Sequence, residues 1–142
     1  MTTTSIPTPA STKLAFGTVL KTAAVTGGMA AVINAVIWII ANLIGGVVLP
    51  FPLVPIFTIL FVVLGGILYF VLSRFLGART NLVFIIVSIL FLLGYAFGPI
   101  VATTQAPMPG MPLFNTTTVV ATELMHLVAG GLAIRQLTGL TK

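Results

Sequence analysis

Residues 53–72 read LVPIFTILFVVLGGILYFVL, twenty positions without one charged side chain, and this run decides the fold. A bilayer core ~30 Å thick takes ~20 residues of helix to cross. No water reaches that depth, so the segment must satisfy its own backbone, which selects helix over an isolated strand. Working outward, three further apolar runs appear, over about 22–48, 82–101 and 118–137. The fold class that follows is all-α, an integral membrane antiparallel four-helix bundle. Four such runs leave only short connections, so residues 17–142 form one domain behind a disordered cytoplasmic tail over 1–16.

Composition supports this. Of 142 residues, 58% are hydrophobic and 5% charged, against about 25% charged in soluble domains. Such a chain cannot cover a globular surface with polar groups, and disorder is excluded because disordered chains are apolar-poor and charge-rich. The formal charge of +5 does not mark a nucleic-acid partner: six Lys/Arg spread along the chain make no dense basic patch. There are no cysteines for disulfides or thiolate metal sites. The first run is too long for a signal-peptide core of ~7–15 residues, and reads as a retained helix.

The cations fall into a pattern. Lys13 and Lys21 precede or open the first helix, Arg74 and Arg79 flank the connection after the second, and Arg135 and Lys142 close the fourth. The other two connections, 45–52 and 102–115, carry no charge. Four spans with both termini cytoplasmic place all six cations inside the cell. The connections also differ in kind. In SRFLGART, Gly77 can end the second helix and Thr80 or Asn81 cap the third. GGVVLPFPLVP carries three prolines among apolar residues and reads as irregular interface chain. TTQAPMPGMPLFNTT is the longest loop. Its Asn115-Thr116-Thr117 reads as a chance glycosylation sequon, and its Met108-x-x-Met111 as ordinary loop, too thin for a copper site. The two halves share no repeat.

Membrane helices pack through small residues and sparse polar groups. Each run has such a stripe: Gly27, Ala31 and Ala35 with Asn34, Trp38 and Asn42; Thr58, Gly65 and Tyr69; Asn81, Ser88 and Tyr95; and Glu123, His126, Gly130 and Ala133 beside Thr118, Thr122 and Ala129. The stripes are expected to face inward.

Glu123 is the single acid and His126 the single histidine, and both lie within the fourth run. A carboxylate there costs several kcal/mol unless protonated or paired. At spacing i, i+3 its carboxyl can reach the His126 ring. The candidate intramembrane polar site is therefore Glu123, His126, Asn34 and Tyr95. Its readings are a structural couple fixing helix register, a proton- or substrate-binding site, a metal site, or axial ligation of a haem or pigment by His126 with Gly130 making room. One carboxylate is too few for a di-metal site, and no metal or cofactor is assigned. No nucleophile–base–orienter set, phosphate loop or carboxylate pair is present, so the chain is not read as an enzyme.

The basic tail, four spans and final helix ATELMHLVAGGLAIRQL, with Met125-His126, a small-residue run and Arg135, resemble a family of small bacterial membrane proteins catalogued as a domain of unknown function. The resemblance spans about Phe16 to Leu137 and implies a bacterial cytoplasmic membrane, with no activity attached. Small multidrug exporters also have four helices and one intramembrane glutamate, but theirs lies in the first helix. Their weakly biased loop charge also contrasts with the six-to-none bias here. The expected role is an accessory or structural component of a membrane assembly, in contact with the lipid bilayer and with a membrane-protein partner or a second copy. The alternatives are a proton-coupled small-molecule transporter using Glu123 and His126, and a haem- or pigment-binding subunit using His126.

The absence of native cysteine makes the topology directly testable. In intact cells, a membrane-impermeant maleimide is expected to label Gln105→Cys and Val48→Cys, and to label Ala78→Cys only after permeabilisation. The reverse pattern inverts the orientation.

Overall fold

The computed structural model describes residues 14–141. Residues 1–13 of the tail expected over 1–16, Lys13 among them, and Lys142 lie outside them, and Phe16 of that tail already belongs to a helix. The described residues are helical, with no strand: α1 (Phe16–Gly45), α2 (Leu53–Leu76), α3 (Thr80–Val101) and α4 (Thr116–Thr138), plus 3-10 turns at Gly77–Arg79 and Gly139–Thr141.

Three helical stretches are long and apolar enough to cross a membrane: Phe16–Gly45, Leu53–Val101 and Thr116–Thr141. The middle one covers 49 residues, which as a straight rod would reach ~74 Å, over twice a bilayer core. Instead it folds back. Gly77 adopts φ 52°, a region that glycine enters without a Cβ penalty. Beyond it α3 returns along α2, with the Tyr69 ring on Phe84 at 5.0 Å and Phe61 on Tyr95 at 5.7 Å.

Helix ends depart from the apolar runs where the backbone rather than hydropathy decides. α1 begins at Phe16, ahead of the expected 22, because Lys21 is compatible with helix and only the apolar count stopped there. It ends at Gly45, short of Val48, because Gly46 takes φ 69°. Asn81 does not cap α3. Its Oδ1 accepts from the Tyr69 hydroxyl at 2.7 Å and the Thr141 hydroxyl at 3.0 Å, while its Nδ2 donates to the Thr138 carbonyl at 3.2 Å. One amide thus ties α2, α3 and the end of α4 together.

α1 makes its most extensive contacts with α2 and then α4, while α3 packs more sparsely on α4 and α2. Small residues set the closest approach: Ala23 of α1 sits over Gly66 of α2, and the Ile59 backbone lies against Gly27. Around that seam, Val19, Val62, Tyr69, Phe84, Ala133 and Leu137 form a buried cluster. A smaller one, Val54, Ala121 and Met125, lies toward the other end. Two expected stripe positions are corrected. Gly65 has nothing within 4 Å of an added Cβ, so its neighbour Gly66 is the contact residue. Asn42 is exposed, where its Oδ1 accepts from the Val47 N–H at 3.2 Å.

A methyl group distinguishes the adjacent glycines. Gly66→Ala places a Cβ 2.5 Å from that of Ala23, a clash that costs about 1–3 kcal/mol through overpacking. Gly65→Ala is expected to be neutral or mildly stabilising. Denaturant titration in detergent micelles measures both, and equal effects would contradict this packing.

Candidate functional site

The site is carried by α4, whose start is fixed by Asn115. The Asn115 Oδ1 accepts from the Thr118 N–H at 2.8 Å and the Thr118 hydroxyl at 2.7 Å, closing an N-terminal cap. Its Nδ2 donates to the carbonyls of Gly45 and Gly46 at 3.4 and 3.0 Å, so the start of α4 is bound to the end of α1. The residue read as a chance sequon is therefore a cap. From Thr116, Glu123 lies ~10 Å and His126 ~15 Å along the axis.

α3 runs antiparallel to this helix. Leu92 packs against Gly130, and the Tyr95 and His126 rings meet edge to face at 5.2 Å and 78°. Tyr95 also touches Phe91 at 4.9 Å and Phe61 at 5.7 Å, and stays 39% exposed. Its expected inward stripe is thus a seam at the edge of the structure. Moving three residues back along α4 and three forward along α3 brings Glu123 level with Gly98. A Cβ added at Gly94 or Gly98 meets nothing within 4 Å, so this side of α3 is open. Pro99 is buried inside α3 and has no N–H to offer the Tyr95 carbonyl one turn earlier.

Polar satisfaction distinguishes the four candidate residues. Asn34 is 2% exposed and joins three helices: its Nδ2 donates to the Thr58 hydroxyl oxygen at 2.9 Å and to the Met125 carbonyl at 3.3 Å. Thr58 in turn donates to the Val54 carbonyl at 2.7 Å. Glu123 Oε1 and His126 Nδ1 are both closed off from the surface without a hydrogen-bond partner, as is Asn34 Oδ1. The expected Glu123–His126 hydrogen bond is not formed; the ring packs across the seam on Tyr95. Tyr95 and His126 are brought together, while Asn34 is tied to Thr58 and the Met125 backbone. Met125 and Glu123 are two positions apart on α4, ~200° around the helix.

Sequence reasoning missed the Met125 carbonyl, which has no side-chain signal, and the Leu49 carbonyl that accepts from the Trp38 indole at 2.9 Å. It also missed the tying role of Asn81, which the sequence shows as a candidate cap and as a polar residue seven positions from Ser88.

Two grooves open on the sides of the helices. One, of about 440 Å³, lies between α1 and α4 against Ile37, Ala41, Ile44, Val120 and Leu124. The other, of about 260 Å³, lies beside Lys21 and Gln136. Neither is lined by Glu123 or His126. The space proposed at Gly130 for a macrocycle is occupied by Leu92, and among the described residues no group of three His, Cys, Asp or Glu gathers to hold a metal. Comparison with protein-family models, curated sequences and solved structures returns no match.

The Asn34 junction has a measurable weight. Asn34→Ala is expected to lower stability in detergent by about 1 kcal/mol, the scale of polar contacts between membrane helices. Asn42→Ala, affecting one exposed loop contact, should shift it by less than about 0.5 kcal/mol. Equal losses would remove Asn34 from its tying role.

Proposed function

We propose that this chain is a four-span bundle of a bacterial cytoplasmic membrane, with both termini inside the cell, acting as a small accessory or structural subunit. Its α3–α4 seam docks a helix of a membrane partner or of a second copy, and the chain carries out no reaction of its own. The observation that carries this reading is the pair of closed-off, partnerless atoms, Glu123 Oε1 and His126 Nδ1. Such atoms are costly in hydrocarbon; the His126 ring packs on a partly exposed Tyr95, and Glu123 is level along the helix axes with the open Gly98 position. Small residues four apart admit a second helix at close range, and polar groups at the contact then find partners.

The fold-back at Gly77 supports the four-span count, and the distribution of the cations supports the orientation. Phe16 packs on Phe70 at 5.0 Å, and the Arg74 guanidinium donates to the Leu14 carbonyl at 3.3 Å. Asn81 reaches Thr138. These contacts gather Lys21, Arg74, Arg79 and Arg135 at one end, which the positive-inside bias places in the cytoplasm. The arrangement from about Phe16 to Leu137 and its resemblance to small bacterial membrane proteins support the choice of membrane. Proton-coupled transport remains the competing reading of the same pair, and a grooved path lined by Glu123 would favour it.

Native mass spectrometry after gentle detergent extraction separates these readings. The parent chain is expected to emerge in a larger complex, and Glu123→Leu to release it while leaving the melting temperature of the isolated chain unchanged or higher. A chain that always emerges alone, joined by proton flux in liposomes that Glu123→Gln abolishes, would replace this reading with transport.

A further inference from the structure

The groove beside Lys21 is independent of the Glu123 seam and changes character along its length. It is lined by Lys21, Thr22, Val25, Thr26, Met29 and Gln136, on α1 and α4. Lys21, Thr22 and Gln136 lie at the basic end of the helices, whereas Val25 and Met29 lie farther toward the middle of α1. Lys21 to Met29 is ~12 Å of helix, enough to run from the membrane interface into hydrocarbon. Thr26 already donates to the Thr22 backbone carbonyl at 2.7 Å, leaving the Lys21 ammonium, the Gln136 amide and the Thr22 hydroxyl as the polar groups lining the groove.

Among the described residues no acid answers that ammonium. The single carboxylate side chain, Glu123, is thirteen positions from Gln136 on α4, ~20 Å along the axis. Arg74, Arg79 and Arg135 at the same end add positive potential. An anion is therefore favoured at Lys21, and an apolar chain along Val25 and Met29. We propose that this groove holds one anionic phospholipid, its phosphate at Lys21 and Gln136 and an acyl chain along Val25 and Met29. Basic pockets between membrane helices on the cytoplasmic side bind anionic headgroups by this chemistry. A free phosphate would leave the apolar half uncovered, and an apolar partner helix would press against the ammonium.

The test uses the full chain in mixed micelles holding equal amounts of phosphatidylglycerol and phosphatidylcholine, read by native mass spectrometry. Phosphatidylglycerol adducts are expected to exceed phosphatidylcholine adducts about fivefold, the effect of one cation near an anionic surface. Lys21→Gln should bring the ratio near one, and Met29→Trp, which fills the apolar half, should lower retention of both lipids. Arg79→Gln, at the same end but outside the groove, should leave the ratio unchanged, as should excess glycerol phosphate. Equal retention of the two lipids by the parent would overturn the assignment. So would an Arg79→Gln loss matching that of Lys21→Gln, no effect of Met29→Trp, or displacement by glycerol phosphate.

Discussion

Lipid is as apolar as leucine, so a leucine-covered helix gains nothing by leaving lipid for another helix, and this constraint governs the contacts inside the chain. What remains is close fit and the occasional polar tie. Both occur in the same places: Ala23 over Gly66, Ile59 against Gly27, and Asn34 between Thr58 and the Met125 carbonyl. The many exposed Leu, Ile, Val and Phe side chains are what an outer surface in hydrocarbon requires.

The polar residues divide by how completely that requirement is met. Asn81 has two donors on its oxygen and a carbonyl for its nitrogen, and Asn115 is satisfied in the same way at the other end. These two amides fasten opposite ends of the helices. Glu123 and His126 each keep a closed-off atom without a partner, as does Asn34 through its Oδ1. Asn34, however, is held through its Nδ2 at the three-helix junction, whereas among the described residues neither Glu123 nor His126 makes a side-chain hydrogen bond to another helix. Each buried polar atom left unpaired calls for a physical explanation, and the docking proposal supplies one for the pair on α4.

Much of this was legible in the sequence because the decisive signals are coarse. Length and apolarity located the helices, Gly77 located the fold-back, and the lone acid within an apolar run marked the candidate site. Finer features were not legible, each for a physical reason. Adjacent Gly65 and Gly66 differ only in which way the helix turns them. Asn81 looks like a cap, and only the tertiary approach of Tyr69 and Thr138 gives it another use. The i, i+3 spacing of Glu123 and His126 permits a hydrogen bond, but an aromatic neighbour from α3 took the ring instead. Tyr95 follows the heptad spacing of an inward stripe, yet α3 packs too sparsely to bury it.

The central claim is that the α3–α4 seam is completed by protein. A photo-crosslinking amino acid at position 95, in living cells, tests this most directly, with position 43 on the exposed face of α1 as reference. The account predicts a discrete protein–protein adduct from 95, lost in Glu123→Leu, and only lipid adducts from 43. Lipid adducts alone from both positions would contradict it.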